Sequence, residues 1–259
     1  MTWIYALSGL GVGFIVGLTG VGGGSLMTPL LVLMMGIPPA IAGGTDLVYA
    51  GLTKAVGATV HARHNAVNWR IAGLLALGSL PATLVTVWLL KAVAVNTERF
   101  ESVITTTLGV ALILTAIALL FMDQLRARAR AAGATDAAWR ARWIDPLTVA
   151  VGAVLGVLVT ISSVGAGALG VAALLILYPR LPTVKIVGTD IAHAVPLTLV
   201  AGLGHATLGT VNWTLLGSLL IGSIPGIWLG SQLASRAPEK ALRSILATIL
   251  IIIGGKFAL

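Results

Sequence analysis

The chain has 259 residues, 58% of them hydrophobic and 9% charged, with a mean hydropathy of +1.03 and a net charge of +8. A soluble domain carries about 25% charged residues, so this composition excludes an ordinary soluble protein and points to one whose solvent is a bilayer. The positive charge implies no nucleic-acid partner, because the basic residues lie between apolar runs, where they act as topology signals; with no cysteine, thiol catalysis, disulfides and thiolate metal sites are absent.

In chain order, the first apolar run carries no charge from Trp3 to Met35 but is broken by Gly17-Leu18-Thr19-Gly20-Val21-Gly22-Gly23-Gly24-Ser25. Glycine loses the most backbone entropy on ordering, so a helix seldom passes through such a cluster. The run therefore reads as two short limbs, 3–18 and 25–35, joined by an elbow. It starts without the basic segment of a signal peptide and is expected to be retained. Spans at 41–60, 71–90 and 103–122 follow, then a polar, basic connection at 123–145. The second half reads 147–162, 168–178, 186–206, 215–234 and 241–257, with a second elbow at Thr160-Ile161-Ser162-Ser163-Val164-Gly165-Ala166-Gly167. Glycines spaced by four (Gly9, Gly13, Gly17; Gly222, Gly226, Gly230) predict close-packed helix faces.

The two halves align when the chain is shifted by 144 residues: 21 of the 67 positions from 23 to 89 are identical. The matches include Gly44-Thr45-Asp46 with Gly188-Thr189-Asp190, His61-Ala62 with His205-Ala206, and Val67-Asn68-Trp69 with Val211-Asn212-Trp213. Chance likeness of apolar sequence does not keep Thr-Asp, His-Ala and Asn-Trp in one register. The basic residues then fix the orientation of the halves. If each elbow segment returns to the side it entered, twelve of the sixteen Lys and Arg residues share one side, among them Arg126, Arg128, Arg140, Arg142 and Arg180. If each crosses once, the split is eight against seven. The positive-inside rule favours the first arrangement. The expected fold is an all-α integral membrane protein of two inverted-topology repeats, 1–122 and 146–259, each starting with a broken or re-entrant glycine-rich helix. The connection 123–145 is cytoplasmic, both termini are periplasmic, and the expected location is the bacterial cytoplasmic (inner) membrane.

The first elbow is followed by Pro29, and the second half carries Pro182, Lys185-Ile186-Val187-Gly188-Thr189-Asp190, Gly204-His205 and Val211-Asn212-Trp213. In this duplicated motif order the chain resembles the sulfite exporter TauE/SafE family, the 4-toluene sulfonate uptake permeases. The resemblance implies secondary transport of a sulfur-containing anion such as sulfite, thiosulfate or an organosulfonate, usually taken to be coupled to protons. The second elbow departs from the first in carrying Ser and Ala where the first carries Gly.

Two interrupted helices in corresponding halves point to a transporter's binding site, where free N–H groups and the positive ends of half-helices hold an anion. The substrate-binding candidates are Thr19, Gly22, Gly23, Gly24 and Ser25, then Ser162, Ser163, Gly165 and Gly167, with Lys54 as a cation inside a span. Close packing of small residues is the competing reading of the glycines. Thr45, Asp46, Thr189, Asp190, His193 and His205 are candidates for proton coupling or for structural capping and pairing. No metal-ligand spacing or cofactor motif appears, and no Ser/His/Asp set or P-loop suggests an enzyme. The expected partners are a small sulfur anion, protons and the lipid bilayer. The alternative function is a passive anion channel or uniporter with the same filter.

Overall fold

The computed structural model describes residues 2–19, 24–131, 137–233 and 239–258, and the secondary structure among these residues is helical throughout. The first half contains α1 (Thr2–Thr19), α2 (Gly24–Met35), α3 (Pro39–Arg63), α4 (Trp69–Val93) and α5 (Thr97–Ala131). The second contains α6 (Ala137–Ser162), α7 (Ala168–Leu177), α8 (Thr183–Thr207), α9 (Trp213–Leu233) and α10 (Glu239–Ala258). Five stretches, Trp69–Val93, Thr97–Arg128, Arg142–Ser162, Thr183–Thr207 and Trp213–Gly230, are long and apolar enough to cross a membrane.

The polarity of the fold is that of a multi-pass membrane protein. Large apolar side chains such as Leu77, Trp88, Val154, Ile221 and Ile252 face outward, while Thr45, Asp46, Ser79, Ser163, Thr189, Asp190 and His193 are buried. In water that outer surface would drive aggregation; against lipid it is the matching face.

In the connection 123–145 the described residues are helical. α5 continues to Ala131 and α6 already begins at Ala137, because this stretch is rich in Ala and Arg, which lose little on entering a helix. With 35 residues, α5 is about 52 Å long, well beyond the ~30 Å hydrocarbon core, so its basic end stands clear of the apolar layer.

Glycine lets the helices approach to backbone contact. α1 lies on α9, and α4 lies on α6. A Cβ added at Gly9 or Gly13 would sit 2.4 Å from the carbonyl oxygen of Leu219 or 2.6 Å from that of Ser223. At Gly152 and Gly156 it would sit 2.2 Å from Leu75 O and 2.5 Å from Ser79 O. The acceptors in these pairs are 144 residues apart and the glycines 143 apart. The second half therefore has one residue more than the first between these glycines and the facing carbonyls' helix. At the centre α3 crosses α8, and the crossing is pinned by equivalent bonds. The Asn212 amide donates to Thr45 Oγ1 at 3.0 Å, and the Asn68 amide donates to Thr189 Oγ1 at 2.9 Å. Gly44 faces the Thr210 carbonyl, and Gly188 faces that of Ala66.

Candidate functional site

α6 ends at Ser162 and α7 starts at Ala168, leaving five residues of irregular backbone inside the fold. Ser163, Gly165 and Gly167 have φ of 60°, 114° and 139°. Glycine adopts such angles without steric cost, and Ser163 is the strained member. Ser162 stabilises the turn: its hydroxyl donates to Leu158 O at 2.6 Å and accepts from the Val164 amide at 3.2 Å. Ser162 is therefore engaged by its own backbone. Ser163 turns the other way and donates to Asp46 Oδ2 at 2.9 Å.

Asp46, on α3, is buried, and its Oδ2 also accepts from Thr28 Oγ1 of α2 at 2.6 Å. One carboxylate oxygen thus joins the short helix of its own half to the elbow of the other. Its Oδ1 has no partner among the described residues. Asp190, the repeat equivalent on α8, is as deeply buried, and its Oδ1 likewise has no partner among the described residues. No hydroxyl from the described residues reaches it. It lies instead against the first turn of α7, where a Cβ on Gly170 would fall 1.8 Å from Oδ1.

Lys54 stands two turns beyond Asp46 on α3. Its Nζ donates to the elbow carbonyl of Ala166 at 2.7 Å, and its charge acts on Asp46, Asp190 and His193 together. An ammonium has three donors, so two remain beyond the bond to Ala166. In a poorly hydrated interior, a cation among two carboxylates and an irregular backbone marks a place where charge is handled.

The histidines divide. His193 Nε2 meets Ser79 Oγ of α4 at 2.8 Å, beside the Lys54 cluster. His205 is a tie at the elbow's entrance: Nε2 meets the Thr160 carbonyl at 2.9 Å, and Nδ1 meets Thr210 Oγ1 at 2.9 Å. A carbonyl only accepts, which makes Nε2 the protonated nitrogen. Thr45 and Thr189 hold the α3–α8 crossing as described above. Of the first elbow, Gly22 and Gly23 lie outside the described residues, as do the side chains of Thr19 and Ser25; Gly24 is described only as the first residue of α2. Among the described residues no group of three or more His, Asp or Glu is placed to hold a metal ion.

The match to known proteins runs nearly the whole length of the chain. Residues 5–257 match the family described as sulfite exporter TauE/SafE. The chain belongs to the TauE/SafE family. It is similar to the probable membrane transporter protein YjnA of Bacillus subtilis (strain 168), with 39% identity over 96% of this chain and 97% of the relative. It is also similar to a probable membrane transporter protein of Xylella fastidiosa (strain Temecula1 / ATCC 700964), with 32% identity over 93% of this chain and 88% of the relative. No solved structure matches.

In this TauE/SafE transporter, several participants escape a reading of the sequence. Thr28 is an ordinary-looking threonine on a short apolar helix, and only the fold brings it to Asp46. The Ala166 carbonyl is backbone and carries no residue-type signal. Gly170 had one available: it is a glycine inside a short helix whose repeat equivalent is Leu26. Ser79 and His193 correspond in the repeat to Ser223 and Tyr49, which lie beside each other short of hydrogen-bond geometry, a relation that only the fold shows.

Proposed function

We propose that this TauE/SafE transporter is a proton-coupled secondary carrier of a small sulfur-containing anion: sulfite, thiosulfate or an organosulfonate. The observation that carries this reading is Lys54, a buried ammonium hydrogen-bonded to the carbonyl of Ala166 in the unwound segment between α6 and α7. Two of its donors and the N-terminal end of α7 supply positive potential without a solvated cation, which suits an oxyanion. The buried carboxylates Asp46 and Asp190 are the groups able to take up protons as the anion moves. Tetrahedral or trigonal sulfur oxyanions fit this donor set, and the family's description names sulfite.

The halves are inverted repeats in this reading. Support comes from the recurrence of the Thr–Asn bonds and the glycine contacts at matching positions, and from the twelve basic residues that fall on one side only in the inverted arrangement. Alternating access is then a rocking of the halves about the α3–α8 crossing. The protein sits in the cytoplasmic membrane with both termini periplasmic.

The test is flux of sulfite and thiosulfate into proteoliposomes, with and without an imposed pH gradient. Accumulation driven by the gradient supports the carrier. Flux indifferent to pH makes the protein a uniporter or channel, and absence of flux for both anions and for organosulfonates refutes the substrate class.

A further inference from the structure

The two halves present the same Thr-Asp pair, yet the carboxylates are held in opposite ways. Asp46 receives two hydroxyl donors, from Thr28 and Ser163. Asp190 receives none from the described residues, is 1% exposed, and has Oδ1 unpartnered against Gly170 in the first turn of α7. The N-cap of α7, Gly167, offers no side-chain acceptor. The first turn of α7 is thus faced by a carboxylate from a neighbouring helix, and that carboxylate lies in the field of Lys54, seated on the same elbow.

We propose that Asp190 is a resident anion. Resting on the proton-coupled reading above, its carboxylate occupies the first turn of α7 and the field of Lys54 in place of the transported anion, and its protonation vacates them. With Asp190 charged, an arriving anion meets a like charge at contact range in a medium of low dielectric, where repulsion is strong. With Asp190 protonated, the arriving anion inherits Lys54 and the helix end. The charge of the cluster is the same before and after: Lys54, Asp46 and one further anion, either Asp190 or the substrate. One proton therefore accompanies each monovalent anion.

The groups that face Asp190 agree with this assignment. α3 brings Lys54 and Asp46, and Asp46 is already held by hydroxyls. α8 itself brings His193, tied to Ser79 of α4. α7 has no titratable side chain, and the elbow after α6 brings hydroxyls alone. Arg70, at the start of α4, is turned outward onto Asp145 at 2.6 Å. Asp190 is thus the carboxylate in the cluster that can lose its charge without breaking a hydrogen bond, and the one that stands on the anion's own ground.

The experiment measures binding of thiosulfate and of methanesulfonate, neither of which titrates between pH 5 and 9, to the purified full chain in nanodiscs. Wild type is expected to bind about tenfold more tightly per unit fall in pH for the monovalent sulfonate over the range where Asp190 titrates, taking up one proton per anion from a lightly buffered solution. Asp190→Asn is expected to bind at a pH-independent affinity equal to the acid-side value, with no proton uptake. Gly170→Ala, which pushes the carboxylate off the helix end, is expected to bind at least tenfold more tightly than wild type at alkaline pH. Retention of the wild-type pH dependence by Asp190→Asn overturns the proposal. So does loss of binding in an Asp190→Asn protein whose thermal unfolding shows it folded. Absence of binding by wild type at every pH instead refutes the anion-carrier reading on which the proposal rests.

Discussion

Ser163 donates a hydrogen bond to Asp46 at 2.9 Å from 117 positions away in the chain. That bond crosses from the elbow of one half to the third helix of the other, and Thr28 completes it from the near side at 2.6 Å. Hydrogen bonds to a charged group contribute about 1.5–3 kcal/mol each, more than neutral ones, because the alternative is a bare charge in an apolar interior. Thr28→Ala is therefore expected to lower stability by about 1–3 kcal/mol, seen as a fall of several degrees in the unfolding midpoint in detergent. Thr28→Ser, which keeps the donor, is expected to stay within about 1 kcal/mol of wild type. Equal midpoints for Thr28→Ala and wild type would show that Asp46 is not held this way.

Gly170 has the opposite kind of relation to its aspartate. Any side chain there collides with Asp190 Oδ1, with a Cβ only 1.8 Å away. Gly170→Ala alone is expected to cost about 1–3 kcal/mol as the carboxylate is forced aside. In an Asp190→Ala background the same change should cost little, since the colliding atoms are gone and alanine is the better helix former. A double-mutant cycle by thermal or urea unfolding should return a coupling energy of about 1–3 kcal/mol. Additive effects would mean that the contact does not constrain the site.

Much of the architecture was legible because membrane sequence is repetitive in a useful way. The glycine breaks, the spacing-four glycine faces and the Thr-Asp, His-Ala and Asn-Trp register all mark positions where few residue types will serve. The described parts of the connection at 123–145 are helical, as the helix propensity of its Ala and Arg residues favours, a state that its charge pattern alone does not display. The candidate site was legible at its ionisable members, Asp46, Asp190, Lys54 and His193, since a charged or titratable group in an apolar run is costly and points to function or to structural pairing. Its remaining parts were not. Thr28 and Ser79 are hydroxyls that most membrane helices use on their own backbone, and the Ala166 carbonyl is invisible in any sequence. Ser162 and Ser163 could not be told apart by type; only the positive φ of Ser163 turns its hydroxyl toward Asp46.

Glycines in this fold are not equivalent, and the difference can be measured. A Cβ at Gly222 would sit 1.7 Å from the Ala6 carbonyl oxygen, whereas one at Gly217 on the same helix meets nothing within 4 Å. Gly217→Ala is expected to be neutral or stabilising by up to about 1 kcal/mol through helix propensity. Gly222→Ala must separate α1 from α9 and is expected to cost at least about 2 kcal/mol, with transport falling alongside stability. Thermal unfolding of the two variants side by side separates packing from composition, and matching midpoints would refute the α1–α9 contact.

The orientation of the halves is open to chemistry, because the chain contains no cysteine. The inverted arrangement puts residue 134, between α5 and α6, on the cytoplasmic side together with Arg126, Arg128, Arg140 and Arg142. A single cysteine at 134 should then resist a membrane-impermeant maleimide in intact cells and react once the cells are opened. A cysteine at Val95, which is 91% exposed between α4 and α5, should react in intact cells. Moving charge is the complementary test. Lys91 and Arg99 are the basic residues of the α4–α5 turn, against twelve on the other side, so neutralising them should leave insertion unchanged. Labelling of residue 134 from outside intact cells would overturn the inverted topology and leave the buried cluster without its assigned sides.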